Sequence, residues 1–183
     1  MIFSKKLEKA ESLSEIFEVI KEIVKKFAGK ERAGLMLGLA DLGIMERGFV
    51  GAFYPVGSNL IVVNKSVIKL IETVRPELLK DYCFGVLLHE YLHTLGIMSE
   101  YRVDVVSYMI CLKAFGKNHR VTRAVRNIRA IMSMIVSSVP SRPVIDLMHF
   151  INNLESLKSR RDSRSIEIEI LNDFDQSSTS YIG

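Results

Sequence analysis

The chain has 183 residues, 48% of them apolar and 25% charged, with a formal net charge of +4. That length and balance suit one domain with a real hydrophobic core, and they exclude a disordered or fibrous chain. Glu, Lys, Arg or His interrupts every apolar stretch well before the roughly 18 residues that a membrane-spanning helix needs.

In chain order, residues 4–28 place Leu7, Leu13, Ile16, Phe17, Ile20, Ile23, Val24 and Phe27 at three-four spacing, which predicts a helix closed by Gly29. The glycine-rich and apolar stretch from Ala33 to Gly57 predicts strands near Leu35–Asp41 and Gly48–Tyr54. Pro55 to Asn59 reads as a turn, and Leu60–Asn64 as a further short strand. Helical spacing returns at Ser66. Pro76-Glu77 starts a helix that runs to Leu95 and stops at Gly96. Ser99 caps the next, which reaches Gly116. A basic helix over 117–136, a break at Pro140 and Pro143, and a helix over 144–158 follow. The tail from Ser159 holds the alternating Ile166–Ile170, an edge strand by pattern, before a Ser/Thr/Asp-rich end. The expected organisation is therefore one domain over 1–158 and a C-terminal tail over 159–183.

The N-terminus turns charged at Lys5-Lys6 with no apolar core of a signal peptide, so the expectation is a cytoplasmic protein without a membrane segment. Cys83 and Cys111 are too few for a secreted disulfide framework and are read as buried small apolar residues.

The chemistry-bearing segment is His89-Glu90-Tyr91-Leu92-His93, an H-E-x-x-H sequence inside a predicted helix. Residues four apart project from one helix face, so both imidazoles reach a single metal ion, and zinc is the expected one. A third protein ligand is needed, with one position left for water. Glu90, beside that water, can take its proton and pass it to a leaving amine. His119 and His149 are substitutes for the third ligand without a spacing argument.

This segment resembles the active-site helix of the zincin metallopeptidases, over roughly residues 49–104. The metzincin pattern would put a histidine where Ser99 stands. The gluzincin branch takes its third ligand from a Glu on the next helix and supports a metal histidine with an Asp four residues later. Glu100 and Asp104 match that pattern, although only six residues separate His93 from Glu100, fewer than in well-known members. The tight break from Gly96 to Ser99 predicts an antiparallel helical hairpin in which residues of constant index sum lie level, so His93 meets Glu100 and His89 meets Asp104. The resemblance implies an α+β, zincin-like fold: a small, mostly antiparallel sheet packed on the H-E-x-x-H helix, with additional C-terminal helices. It also implies zinc-dependent hydrolysis of a peptide or protein substrate that pairs with an edge strand.

The rival reading is a zinc-containing binding or regulatory module without turnover. Candidates for stabilising an oxyanion are Tyr101, Arg102, Tyr108 and His119. The acid-free stretch from Val105 to Arg142 carries Arg120, Arg123, Arg126 and Arg129. It is a solvated face by default and a nucleic-acid contact in the sharper reading, which no aromatic interleaving supports. In a peptidase that binds by strand addition, the alternating tail is either an ordinary edge strand or a segment lying across the enzyme's own surface.

Overall fold

The computed structural model describes residues 2–44, 49–137 and 167–171. Helices α1 (Ile2–Lys9) and α2 (Leu13–Ala28) lead into strands β1 (Met36–Ala40), β2 (Ala52–Phe53) and β3 (Leu60–Asn64). Helix α3 (Lys65–Val74) and a 3-10 turn at Pro76–Leu78 precede α4 (Leu79–Thr94), α5 (Glu100–Phe115), α6 (Arg120–Arg126) and α7 (Ile128–Ser137). Strand β4 (Glu169–Ile170) completes an α+β fold of seven helices and four strands among the described residues.

The one helix expected over 4–28 is two. Ser12 caps α2 by accepting from the Glu15 N–H, and the Glu15 carboxylate returns the bond to the Ser12 N–H, a reciprocal box that starts a new helix. Gly29, at φ 64°, ends α2 as the spacing predicts. The basic helix expected over 117–136 is also divided, with α6 starting at Arg120 and Asn127 separating it from α7. The expected break at Pro140 and Pro143, the helix over 144–158, His149 and the boundary at 158/159 lie outside the described residues.

The sheet order is β2-β3-β1-β4. The expectation of a mostly antiparallel sheet needs correcting, because the sheet is mixed and its longest pairing, β1 with β3, is parallel, Met36 opposite Leu60 through Ala40 opposite Asn64. The reason is topological. The chain leaves β1 for the far edge, lays down β2, and returns through the turn at Pro55–Ser58 into β3, antiparallel to β2 and hence parallel to β1. β4 pairs antiparallel with β1 on the opposite edge, and the Lys65 ammonium holds Glu169 at 2.7 Å. The tail strand thus completes the sheet at the edge away from β2.

One face of the sheet buries Leu37, Ile61 and Val63 against the helices. Helix α4 is the centre of the molecule. Eleven of its sixteen residues are buried, including Tyr82, Phe84, Leu87, Leu88, Tyr91 and Leu92, so it has no single apolar face. A helix apolar on all sides belongs inside a core, and α4 is packed by α2, α5, α6, β2 and β3. Cys83 and Cys111 are both buried and unbonded, as their reading as small apolar residues expects. No described helix is long and apolar enough to cross a membrane.

Candidate metal centre

Leu95-Gly96-Ile97-Met98 reverses the chain between α4 and α5. Gly96 adopts φ 91°, a left-handed conformation that a side chain would strain, and the Ile97 N–H bonds back to the Leu92 carbonyl at 3.2 Å. Ser99 then caps α5 by accepting from the Arg102 N–H. The result is a helical hairpin with Glu100 in the first turn of α5.

This hairpin brings the predicted residues together. His89 Nε2 lies 3.0 Å from Glu100 Oε2 and 3.0 Å from His93 Nε2. His93 Nε2 lies 3.2 Å from Glu100 Oε1. A tetrahedral ion bonded at about 2.0–2.1 Å to its ligand atoms would hold them about 3.3 Å apart, and the nitrogen–nitrogen separation and the contacts to the two Glu100 oxygens, which close a triangle of side-chain groups, are of that size. His89, His93 and Glu100 form a group whose ligand atoms all lie within 4.8 Å of one another.

The far side of each ring is also engaged. His93 Nδ1 donates to the Ile97 carbonyl at 2.8 Å; a carbonyl only accepts, so the proton is on Nδ1 and the Nε2 lone pair faces the triangle. His89 Nδ1 lies 3.5 Å from Asp104 Oδ1, which favours the same tautomer. Burial lowers the pKa of His89, with the Glu100 and Asp104 carboxylates opposing and His93 reinforcing that shift. Neutral imidazole, the ligating form, is favoured.

Glu90 points into a cleft of about 260 Å³ whose walls include Phe49 to Ala52 before and in β2, Val86 and His89 on α4, Glu100 and Asp104 on α5, and Val125, Ile128 and Arg129 on α6 and α7. Burial, helped by the charge of Glu100, pushes its pKa up to about 8, while a hydrogen bond from the Tyr54 backbone N–H pulls it down. A carboxyl group poised near neutrality is suited to taking and returning a proton.

Three features of the site carry no signal in the sequence. The Ile97 carbonyl orients His93 as a backbone group in a turn. Arg129 donates to Asp104 at 3.1 Å across 25 positions of chain, and the Tyr54 backbone influences the Glu90 carboxyl because β2 lies beside α4. None of Tyr101, Arg102, Tyr108 and His119 lines the cleft. Tyr101 is 77% exposed, and His119 caps α6 while stacking on Phe115, at 4.8 Å between centroids. The cationic side chain that does line it is Arg129. The arginine row is likewise divided, with Arg120 bonding both oxygens of the buried Asp81 at 2.8 Å and Arg129 turned to Asp104.

Comparison with protein-family models, with curated proteins and with solved structures gives no match.

Proposed function

We propose that this chain is a zinc-dependent metallopeptidase of the zincin type, with a gluzincin-like ligand set of His89, His93 and Glu100. The observation that carries the reading is the convergence of two imidazole nitrogens and one carboxylate on a triangle of 3.0–3.2 Å edges, each imidazole backed by an acceptor at Nδ1. Two Nε2 atoms 3.0 Å apart share either a proton or a cation, and an acceptor behind each Nδ1 favours the tautomers that leave both Nε2 lone pairs for a cation. The donor set, two nitrogens and a carboxylate, suits zinc.

Bound there, zinc would supply Lewis-acid polarisation of a carbonyl and acidify water. The residues supply the rest. Glu90 accepts a proton from water in the cleft and returns it to the leaving amine, and its raised pKa lets it do both near neutral pH. Asp104 and the Ile97 carbonyl hold the rings in one tautomer. β2 is an edge strand of the sheet, and the residues leading into it wall the cleft, so an extended peptide laid along that border passes Glu90.

The test is metal analysis together with a Glu90→Gln comparison on a peptide library. The expected result is about one zinc per chain in both proteins, with hydrolysis in the parent alone. Zinc in both with no hydrolysis in either would favour a binding or regulatory module. Absence of zinc, with none taken up on addition, would refute the metal site itself.

A further inference from the structure

Arg32 lies in the loop between α2 and β1, 22 positions before Tyr54 and 58 before Glu90, and its guanidinium is spread over three separate elements. One nitrogen donates to the Tyr54 hydroxyl at 2.7 Å and to the Thr94 carbonyl at 3.1 Å, and the other donates to the Ser58 carbonyl at 2.6 Å. The guanidinium carbon also sits 5.4 Å from the centroid of the Tyr54 ring. The Arg32 backbone N–H donates to the hydroxyl of Tyr91, the neighbour of Glu90, at 3.1 Å. Tyr54 Oη further accepts from the Gly57 N–H at 3.1 Å, so two donors fix that phenol.

These contacts join the end of β2 and the turn after it to the last turn of α4. The joint matters because Glu90, the neighbour of Tyr91 on α4, lines the cleft together with Gly51 and Ala52 on the β2 side. We propose that Arg32 is a positioning residue for Glu90: by pinning the Tyr54 phenol, the Ser58 carbonyl and the Thr94 carbonyl with one planar fork, it fixes the spacing between the β2 border of the cleft and the end of α4 that carries Glu90. Only an arginine places several donors in one rigid plane; a lysine ammonium keeps the charge but does not span the same acceptors in fixed geometry. The kinetic part of this inference rests on the hydrolase reading.

The experiment compares Arg32→Ala, Arg32→Lys and Tyr54→Phe with the parent, each as the full chain with zinc added. The readouts are zinc content, kcat and KM on a peptide, and exchange of the Gly57 amide, which donates to the clamped phenol, by NMR. For a base displaced by a fraction of an ångström to an ångström, kcat falls by roughly 10- to 100-fold in Arg32→Ala, with KM changed by less than about threefold and zinc retained. Arg32→Lys recovers part of the loss. Tyr54→Phe, which keeps the ring and removes the pinned oxygen, moves kcat the same way and reads the clamp even if Arg32→Ala fails to fold. In both Arg32→Ala and Tyr54→Phe the Gly57 amide exchanges at least about tenfold faster. Folded, zinc-loaded variants with parental kcat and parental Gly57 exchange would overturn the proposal and leave Arg32 a purely structural tie. If the parent hydrolyses nothing, the hydrolase reading fails, and the amide exchange still decides whether the clamp exists.

Discussion

Removing Glu100 separates a metal ligand from a surface acid with the least ambiguity. Its side chain is 65% exposed and sits in the first turn of α5, so without zinc it contributes the helix-dipole interaction and an exposed contact with His89, together about 0.5–2 kcal/mol. At roughly 2–4 °C per kcal/mol for a domain of this size, Glu100→Ala lowers the metal-free Tm by no more than about 8 °C. The zinc-dependent part is larger. With free zinc buffered at about 1,000 times the parent's Kd, binding adds about 4 kcal/mol, a rise of roughly 8–16 °C. Four-ligand zinc sites bind with about 10–16 kcal/mol, so losing one ligand costs about 3 kcal/mol, or roughly 150-fold in affinity. At the same free zinc the variant keeps about 1.2 kcal/mol and a rise of roughly 2–5 °C. Asp104→Ala, which removes the partner of His89 Nδ1 and leaves the three ligands, should weaken zinc by about 10- to 100-fold and fall between the two. Differential scanning fluorimetry in zinc buffers, with chelator as the reference, reads all three proteins. Parental zinc-induced shifts in both variants would refute the ligand set and put the third ligand elsewhere.

Two further outcomes test the fold around the site. Gly38 in β1 has no room for a side chain, because a Cβ there would lie 2.5 Å from Ile168 Cγ2; Gly38→Ala should release β4, seen as loss of exchange protection at the Leu171 amide that donates to Leu37, with parental zinc binding because β4 lies at the far edge of the sheet. Burial pushes the thiols of Cys83 and Cys111 up to about 12, so at pH 8 only about one in ten thousand is thiolate; iodoacetamide should label both in denaturant and neither in the native protein, and rapid native labelling would refute their buried placement.

The hairpin was legible in the sequence because everything that builds it is local. Helical periodicity fixes which residues of α4 share a face, Gly96 and Ser99 fix where the chain turns, and the level pairs His93–Glu100 and His89–Asp104 follow from counting. The structure has His93 3.2 Å from Glu100 and His89 3.5 Å from Asp104. The break between α1 and α2 was also local, and its signal was present in Ser12-x-x-Glu15, but the continuous apolar spacing on either side outweighed it. Strand order and direction were not legible, since period-two alternation marks a strand without naming its neighbour. The ties from Arg32 to Tyr54 and from Arg129 to Asp104 were hidden for the same reason, each joining elements whose spacing in sequence carries no register.

The same enclosure that stabilises α4 sets the chemistry of its one polar strip. Because α2, α5, α6 and the sheet cover the helix on its other sides, His89, Glu90 and His93 are the part of its second half that opens on the cleft or the triangle, and their side chains are largely shielded from water. That burial lowers the pKa of His89 and raises that of Glu90, giving neutral ligands and a carboxyl group poised to exchange a proton. Two close approaches maintain it. Gly85 lets Ile128 of α7 come within 3.1 Å of where a Cβ would stand, and Gly51 lies so near the Tyr82 hydroxyl that any side chain would collide with it. Both glycines line the cleft, one on the side of α7 and the other on the side of β2. Their lack of a side chain therefore sets how tightly the walls close, and through that closure how dry, and how strongly shifted in pKa, the groups between them are.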